Sequence, residues 1–432
     1  MIWQKEETLS RDEMCVLQST KLVKTVAHVY ENVPFYKKKM DNIGLEVGDI
    51  KGIEDLNRLP FTTKQDLRDH YPYGMFAVPM KQVVRVHASS GTTGQPTVVG
   101  YTQNDLDMWA NCMARVLAGM GATDEDIIHN ALGYGFFTGG LGFHYGSEKL
   151  GATIVPISSG NTKKQIQIIR EFKSTILVTT PSYALYMGEY IKGLGIDPSE
   201  LKLRIGALGG EPWSYEMRAQ IEEALGIKAY DSYGMSEIVG PGVGFECTHK
   251  NHIHLNEDHF IPEIIDSHTL ESLQVGETGE IVFTTVTKEA LPLLRYRTRD
   301  ITSLIEGSCG CGRTTIRMRK CTGRSDDMLI IRGVNVFPSQ IESVLLNLGE
   351  TAPHYVLIVD RINNLDTLEV WVEGKEGVTF VDGMRHMKEI EKRITAEIHS
   401  VLGLQVKVKL VEPKSIERSE GKAKRVIDKR KI

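Results

Sequence analysis

The chain has 432 residues, a length that suggests two or three domains. Hydrophobic residues make up 41% and charged residues 25%, which is typical of globular proteins and excludes a disordered or low-complexity chain. The 51 Lys and Arg residues against 56 Asp and Glu give a net charge of −5, so no general field attracts nucleic acid or an acidic membrane.

The sequence also bears on location and cysteine chemistry. It has no run of about 18 apolar residues, which argues against a membrane-spanning helix. The first residues, Met1 to Glu7, lack the basic and apolar regions of a secretory signal. Six cysteines in a chain of this length do not make a disulfide framework. We therefore expect a soluble cytoplasmic enzyme, with neither a nucleic acid nor a membrane as partner.

Apolar spacing predicts the elements in chain order. Residues 12–30 show the three- and four-residue spacing of a helix, and residues 62–66 look like the capped start of another. From about 85 to 240, short apolar runs alternate with amphipathic stretches, which predicts an α/β layer with a largely parallel sheet. The predicted strands are 152–157, 175–180, 203–208 and 227–230, and the predicted helices are 163–172, 183–192 and 215–225.

The rest of the chain is richer in strands. These are predicted at 260–265, 279–285, 301–305 and 315–319. A smaller α+β unit follows, with strands at 327–331, 355–360, 368–373 and 406–412 and helices at 340–346 and 384–400. We expect a large N-terminal α/β domain with a strand-rich subdomain over residues 1–325, and a small C-terminal domain over residues 326–432.

The strongest local signal is a loop rich in glycines and hydroxyls, Ser89-Ser90-Gly91-Thr92-Thr93-Gly94-Gln95-Pro96-Thr97. Backbone N–H and side-chain O–H groups in such a loop can surround phosphate oxygens. It is not a Walker A loop, because no Gly-Lys-Ser/Thr follows. Gly-Thr-Thr-Gly alone would also fit an ordinary flexible turn, whereas the full string favours phosphate binding.

A second group of polar residues follows a predicted strand, in Tyr230-Asp231-Ser232-Tyr233-Gly234-Met235-Ser236-Glu237. Open α/β sheets bind ligands at the carboxyl ends of their strands. There the ring of Tyr233 can stack on a nucleobase, and the carboxylate of Glu237 can hold Mg²⁺ against phosphates. Taken singly, Tyr233 also fits a packed ring and Glu237 a surface acid. Asp300, in a later motif, is placed to bond ribose hydroxyls.

The order and composition of these motifs resemble the adenylate-forming superfamily and, within it, the phenylacetate–CoA ligase family. Three strings carry the resemblance: residues 89–97, Gly-Tyr-Gly-Phe-Phe-Thr-Gly-Gly-Leu-Gly at 133–142, and Asp-Asp-Met-Leu-Ile-Ile-Arg-Gly-Val-Asn-Val-Phe-Pro at 326–338. The match covers roughly residues 10–430 in the correct order. The resemblance implies the α/β fold of that superfamily, with a small mobile C-terminal domain.

The resemblance implies an AMP-forming acid–thiol ligase that works in two half-reactions. A carboxylate attacks the α-phosphorus of ATP and gives an acyl-adenylate and pyrophosphate. The C-terminal domain then rotates, and the thiol of CoA displaces AMP. An aryl carboxylic acid, ATP, Mg²⁺ and CoA are thus expected, and a homodimer is the family's common state. The alternatives are an adenylating enzyme that loads another thiol, such as that of a carrier protein, and a nucleotide-binding regulator without catalysis.

Carried over residue by residue, the resemblance implies a nucleotide-binding set. Glu211 and Pro212 would lie along the adenine, and Tyr233 would stack on it. Asp300 would bind the ribose, and Arg324 would reach the ribose or a phosphate. The full expected set is Ser90, Gly91, Thr92, Thr93, Gly94, Gly210, Glu211, Pro212, Asp231, Ser232, Tyr233, Gly234, Met235, Ser236, Asp300 and Arg324.

Three residues are implied in catalysis itself. Lys422 matches the superfamily's C-terminal lysine, which would stabilise charge developing between the α-phosphate and the carboxylate. Lys424 is the alternative for that role. Glu237 would ligate Mg²⁺, and Asp326 would be the hinge of the rotation. Because Thr97 stands where most of the superfamily has lysine, Mg²⁺ and Lys422 must supply more of the positive charge.

The acyl pocket is expected around residues 133–140. Tyr134 and Phe137 are the candidate walls, with Gly210 and Met235 completing them, because glycines leave room beside flat rings. Phenylacetate would fit edge-on to such rings, and the sequence does not separate it from a hydroxylated or indolic analogue or from benzoate. Each ring also fits an ordinary core aromatic beside a turn.

Cysteines and histidines form a separate candidate metal site. Two cysteines one residue apart in a Gly-rich turn can direct two thiolates at one ion, and a distant Cys and His would complete a tetrahedral structural Zn²⁺ site. The predicted ligands are Cys247, His254, Cys309 and Cys311. His254 is preferred because some relatives of the family show a Cys followed seven residues later by His, and His249 and His252 are alternatives. Reduced cysteines in a loop beside exposed histidines are the interpretation without a metal.

Overall fold

The structure is a computed structural model, and it describes residues 1–89, 96–324, 329–332, 334–362, 365–375, 384–419 and 423–430. The chain divides into two compact units. The first comprises Met1–Thr179, Glu200–Gly210 and Lys228–Lys320, and the second comprises Thr180–Ser199, Glu211–Ile227 and Cys321–Ile432. The domain boundary expected between residues 325 and 326 stays a prediction.

The first unit mixes helices with strands. Its helices are α1 (Arg11–Asn32), α2 (Pro34–Asn42), α3 (Lys64–Asp69), α4 (Gln103–Gly119), α5 (Thr138–Leu150) and α6 (Thr162–Phe172). Ser10 and Thr102 begin α1 and α4 with capping boxes, in which the cap side chain and the acid three residues later satisfy each other's backbone N–H groups. The sequence therefore specifies where these long helices begin.

Fourteen strands of the first unit lie in its described residues. They are β1 (Arg85–Ser89), β2 (Thr97–Tyr101), β3 (Ile127–Asn130), β4 (Thr153–Val155), β5 (Ile176–Thr179), β6 (Ile205–Gly209), β7 (Lys228–Met235), β8 (Gly240–Glu246), β9 (Ile253–Leu255), β10 (Phe260–Ile265), β11 (Gly279–Thr285), β12 (Tyr296–Thr302), β13 (Leu304–Ile305) and β14 (Arg317–Met318). The pairs β1–β2, β10–β11 and β11–β12 are antiparallel.

A nine-stranded sheet forms the centre of the first unit, in the order β13-β14-β9-β8-β7-β6-β5-β3-β4. The half from β7 to β4 is parallel, and the half from β8 to β13 is antiparallel. All four residues of β5 are buried, as expected of a parallel strand covered on both faces. The parallel half confirms the α/β layer predicted from alternating apolar runs. The strands predicted around 301–305 and 315–319 contribute β13 and β14 to the same sheet, which extends it by antiparallel pairing.

The second unit is a smaller α+β assembly. Its helices are α7 (Pro181–Gly193), α8 (Tyr215–Leu225), α9 (Pro338–Asn347) and α10 (Met384–Leu402). Its strands are β15 (Gly323–Arg324), β16 (Leu329–Ile331), β17 (Val334–Val336), β18 (Thr351–Ile362), β19 (Leu365–Gly374), β20 (Lys407–Val411) and β21 (Val426–Asp428). A sheet in the order β20-β19-β18-β21 packs apolar residues such as Leu357 and Val370 against Ile341 and Ile394 of α9 and α10.

The helices and strands predicted for residues 152–230 all occur, with ends that differ by a few residues. The largest difference is at β7, which continues to Met235. Among the helices that the structure describes, none is long and apolar enough to cross a membrane.

A buried ion pair gives a test of this packing. Arg115 of α4 is 1% exposed, and its guanidinium donates to both carboxylate oxygens of Asp258 at 2.7 and 2.9 Å. Arg115→Ala should lower the free energy of unfolding by about 3–5 kcal/mol, because it leaves a buried carboxylate without its partner. Arg58→Ala, which removes an exposed pair with Asp49, should cost about 1 kcal/mol or less. Urea unfolding followed by tryptophan fluorescence measures both, and equal losses would contradict the argument.

Candidate active site and metal cluster

Strand β7 carries most of the predicted nucleotide-binding residues. It pairs in parallel with β6 up to Ser232 and then in antiparallel with β8, with a register shift between Tyr233 and Gly234. Glycines permit this crowding, since a Cβ on Gly209 would collide with the carbonyl oxygen of Ser232, and one on Gly234 with that of Gly240. The string that begins at Tyr230 thus lies in a strand that pairs with β6 on one edge along its first half and with β8 on the other edge along its second half.

Tyr233 and Asp300 come together in the first unit. The Tyr233 hydroxyl donates to Oδ2 of Asp300 at 2.6 Å, across from β7 to β12. Asp300 is 8% exposed, whereas the Tyr233 ring is half-buried and lies tilted at 6.1 Å from the ring of Phe283. One face of the site therefore combines an accessible aromatic ring with a carboxylate held at its edge.

Glu237, just beyond β7, is a buried carboxylate beside a cation. It is 5% exposed, and its Oε1 lies 3.2 Å from the ammonium of Lys64 at the start of α3. The neighbouring Ser236 hydroxyl lies 3.1 Å from the Thr138 hydroxyl, where α5 begins. The end of β7, the start of α3 and the start of α5 therefore meet at one place.

Asp231 and Ser232 lie deeper on the same strand. The backbone N–H of Asp231 donates to Glu246 at 2.8 Å, and its carboxylate lies 3.6 Å from the ammonium of Lys320. The Ser232 hydroxyl is buried, with no hydrogen-bond partner within the described part of the chain. Gly210, after β6, has a φ of +87°, a conformation that favours glycine. Met235 is half-buried.

The aromatic loop at 133–140 connects β3 to α5. The Tyr134 hydroxyl accepts a hydrogen bond from Asn130 Nδ2 at 2.9 Å and lies 3.3 Å from Nδ1 of His144. Burial raises the pKa of Tyr134 to about 12, so its hydroxyl stays protonated. The Phe137 ring lies against Gly139, where a side chain would collide with it. Both predicted rings are half-buried, whereas the adjacent Phe136 is 72% exposed.

Three further predicted residues lie in the second unit. The carboxylate of Glu211 accepts hydrogen bonds from the backbone N–H groups of Ser182 at 2.7 Å and Ala423 at 2.9 Å. Pro212 is exposed, and Arg324 of β15 is half-buried. The remaining predicted residues lie outside the described ones: Ser90, Gly91, Thr92, Thr93, Gly94, Asp326 and Lys422.

The first unit also brings together the four predicted metal ligands. The ligand atoms of Cys247, His254, Cys309 and Cys311 all lie within 4.8 Å of one another. Cys247 follows β8, His254 lies in β9, and the other two cysteines occupy the turn between β13 and β14. Because β8, β9, β14 and β13 are neighbours in the sheet, the strand order itself assembles the cluster.

The spacing within the cluster suits one tetrahedral ion. The two sulfurs of Cys247 and Cys309 are 3.7 Å apart, against about 3.8 Å for tetrahedral thiolates with Zn–S bonds of about 2.3 Å. The same spacing is far too long for a disulfide of about 2.05 Å. Cys311 Sγ lies 3.6 Å from Nε2 of His254, whose other ring nitrogen contacts the Thr315 hydroxyl at 3.1 Å. Such a contact orients a ligating imidazole.

Local electrostatics favour a thiolate at Cys311 and a neutral ring at His254. The hydrogen bond between Cys247 and Cys311 lowers the pKa of Cys311 and raises that of Cys247. Burial lowers the pKa of His254, which keeps the imidazole neutral. His249, one of the alternatives, is exposed and lies beside Gly310, and His252 is half-buried. The cluster of described residues contains His254 and neither alternative.

Sequence reasoning missed several residues of the site. Asn130 and His144, which hold Tyr134, gave no signal because β3 and α5 were not assigned. Lys64 was noted only as part of a helix start, and nothing in that pattern indicates that its ammonium reaches Glu237. Lys320 follows a predicted strand, and its distance from Asp231 depends on the fold alone.

Comparison with known proteins agrees with this arrangement. Residues 23–287 match the family described as AMP-binding enzyme, and residues 333–430 match the AMP-binding enzyme C-terminal domain. The chain is 52% identical to "Phenylacetate-coenzyme A ligase" of Escherichia coli (strain K12), over 99% of this chain and 97% of that one.

Solved structures of one enzyme, 2-hydroxyisobutyryl-CoA ligase, also match over nearly the full length. Its postadenylation state, in complex with 2-HIB-AMP, is 29% identical with a TM-score of 0.92, covering 99% of this chain and 92% of that one. Its thioesterification state, with 2-HIB-AMP and CoA, is 30% identical with a TM-score of 0.73, covering 98% and 91%. The chain therefore belongs to the phenylacetate–CoA ligase family of the adenylate-forming superfamily.

Proposed function

We propose that this chain joins phenylacetate, or a close aryl analogue, to CoA through an acyl-adenylate formed with ATP. The observation that carries the proposal is the 52% identity, over nearly the whole of both chains, to an enzyme named for that reaction. The acid–thiol ligase activity, AMP-forming and dependent on ATP and CoA, follows from membership of the family. The homodimer stays a prediction.

The pair of Tyr233 and Asp300 supports a nucleotide site on β7 and β12. Because a single bond joins adenine to ribose in ATP, the residues that bind these two groups must lie close together in space. The hydrogen bond of 2.6 Å from Tyr233 to Asp300 meets that requirement and fixes ring and carboxylate together. Adenine stacked on the half-buried ring would place the ribose near the carboxylate.

Glu237 supports a Mg²⁺ site next to the phosphates. The Lys64 ammonium lies 3.2 Å from this buried carboxylate. The surroundings of Glu237 therefore already hold one positive charge, as a Mg²⁺ site requires. Bound Mg²⁺ would neutralise charge on the phosphate oxygens. Lys64 is itself 39% exposed in its side chain, so it can turn toward solvent or toward a phosphate when a metal binds Glu237.

The loop at 133–140 supports an aryl acid as substrate. Tyr134 is held at its hydroxyl by Asn130 and at its ring by a T-shaped contact with His144, with ring centres 5.9 Å apart. A wall fixed in this way presents a flat apolar face at little entropic cost. Gly133 and Gly140 approach closely in this loop. A Cβ on Gly140 would lie 2.5 Å from the carbonyl oxygen of Gly133, so the approach requires a residue without a side chain at position 140.

The function is tested by pyrophosphate release with ATP and Mg²⁺ across aryl and aliphatic acids, with and without CoA. We expect release that requires phenylacetate or a close analogue, and continuous turnover only when CoA is present. Release without CoA-dependent turnover would point to a different thiol acceptor. No release with any acid would overturn the proposal.

Lys422 is proposed as the lysine of the adenylation half-reaction. Lys422→Ala should lower acyl-adenylate formation by about 100-fold or more, since it removes a charge that stabilises the transition state. Thioester formation from supplied acyl-adenylate and CoA should stay near the wild-type rate. Lys424→Ala is the matched control, and the opposite pattern, with Lys424→Ala the slower variant, would transfer the role to Lys424.

We also propose that Cys247, His254, Cys309 and Cys311 bind a structural Zn²⁺. Four donors with a sulfur–sulfur distance of 3.7 Å support a closed tetrahedral site without an open position for substrate. The cluster links strands β8 and β9 to the turn after β13, so a metal there would fasten the antiparallel half of the sheet.

Metal analysis of protein purified without chelators should find about one zinc per chain. Cys311→Ser should lower the zinc content and the Tm together, because it removes one of four ligands. Cys15→Ser, which changes a half-buried thiol on α1 outside the cluster, should leave both unchanged. Wild-type protein free of zinc, or an unchanged metal content in Cys311→Ser, would refute the site.

A further inference from the structure

One buried amide at the end of β3 closes the loop that connects β3 to α5. Asn130 is fully buried, and its Nδ2 donates to the carbonyl oxygen of Gly140 at 2.7 Å and to the hydroxyl of Tyr134 at 2.9 Å. Its Oδ1 accepts the backbone N–H of Leu132 at 3.3 Å. A single side chain therefore holds the start of the loop, its aromatic ring and the first turn of the helix that follows.

The partners of Asn130 fix the orientation of its amide. A carbonyl oxygen can only accept a hydrogen bond, and a backbone N–H can only donate one. The amide must therefore direct its NH₂ group at Gly140 and its oxygen at Leu132. Because the NH₂ group also donates to the Tyr134 oxygen, the hydroxyl proton of Tyr134 is left for Nδ1 of His144, which lies 3.3 Å away. The hydroxyl thus has a protein partner both for its oxygen and for its proton.

The backbone of Asn130 is itself fixed by the parallel half of the sheet. Strand β3 pairs with β4 on one edge and with β5 on the other, where Asn130 lies opposite Val178. Its backbone oxygen accepts the N–H of Ser158, just after β4, at 3.2 Å. Ligands bind at the carboxyl ends of such strands, and a residue on a strand is placed more precisely than one on a loop. The amide is therefore a fixed point to which the loop is fastened.

The middle of the loop is held independently, by β1. The carbonyl oxygen of Phe136 accepts the backbone N–H of Ala88 at 3.2 Å and lies 3.1 Å from Nδ1 of His87. His87 is 1% exposed, and burial lowers its pKa, so its ring is neutral. Since these bonds do not involve Asn130, loss of the amide should free the ends of the loop and the Tyr134 ring without releasing the loop as a whole.

We propose that Asn130 is a positioning residue for the acid, which sets the ring of Tyr134 as a wall of the aryl pocket without contacting the substrate itself. This role rests on the proposed function, and it adds the group that determines how firmly the acid is bound. Both hydrogens of the amide are donated within the protein, to Gly140 and Tyr134, so none remains for a substrate. The effect of Asn130 on the reaction therefore passes through the loop.

Kinetics separate this role from a general loss of structure. Asn130→Asp keeps the shape of the side chain but removes both hydrogens of the amide. It should raise the KM for phenylacetate by about 10-fold or more, because a displaced wall binds the acid less well, and should change the KM for ATP by less than about twofold. Asn32→Asp is the matched control: this exposed amide of α1 donates to the carbonyl of His28 at 2.9 Å, and its loss should leave both KM values unchanged.

Tyr134→Phe is a second variant, which removes only the bond to the ring and adds no charge to the interior. It should raise the KM for phenylacetate by about threefold, and adding it to Asn130→Asp should raise that KM no further, because the two residues act through one contact. Effects that multiply in the double variant would overturn the proposal. If the buried carboxylate of Asn130→Asp prevents folding, Asn130→Ser, which is neutral and too short to reach all three partners, takes its place in the same comparison.

Hydrogen exchange provides a readout that does not depend on activity. The amides of residues 131–141 should exchange faster in Asn130→Asp than in wild type or Asn32→Asp, whereas those of α4 should not change. A KM for ATP that rises as much as that for phenylacetate, an unchanged KM for the acid, or unchanged exchange in the loop would each overturn the proposal. Wild-type protein that forms no adenylate with any acid would instead refute the proposed function and leave hydrogen exchange to decide whether Asn130 fastens the loop.

Discussion

The site depends on β7, whose two edges pair with different strands, β6 on one edge and β8 on the other. The strand begins in parallel with β6, shifts register after Tyr233, and ends in antiparallel with β8. Gly234 allows the register shift within the β7–β8 pair, because any side chain there would collide with the carbonyl of Gly240. On one side of this point lies the parallel sheet, whose strand ends collect polar residues. On the other side lie the antiparallel strands that bring together Cys247, His254, Cys309 and Cys311.

Most of the parallel layer was predictable, because buried strands and amphipathic helices have different periods of apolar residues. The helix predicted at 163–172 matches α6, and the strands predicted at 175–180 and 203–208 match β5 and β6 to within two residues. Elements around residues 97–150 were missed: α5 begins Thr-Gly-Gly-Leu-Gly, and glycines weaken any helical signal. That helix is formed because its glycines allow close packing, as at Gly146, where a Cβ would collide with Met113.

The site was predictable only as a set of residue types in a familiar order. The hydrogen bond between Tyr233 and Asp300 joins residues 67 positions apart, and no local pattern encodes it. The Cys–His cluster was predicted from the Cys-x-Cys turn, but the choice among three histidines depends on strand pairing. His254 faces the cysteines because β9 pairs with β14 in a register that sets His254 opposite Arg317. A shift of one residue would turn its side chain to the other face of the sheet.

In the second unit, Glu373 and Glu211 each use both oxygens of one carboxylate to hold two backbone N–H groups. Glu373 is inaccessible, and it holds the N–H groups of Lys414 and Ile416 and the guanidinium of Arg418. Glu211 is half-buried, and it accepts the N–H of Ser182 through one oxygen and that of Ala423 through the other. An ionised carboxylate suits both positions, because its two oxygens satisfy two N–H groups at once, whereas an amide side chain offers a single acceptor oxygen.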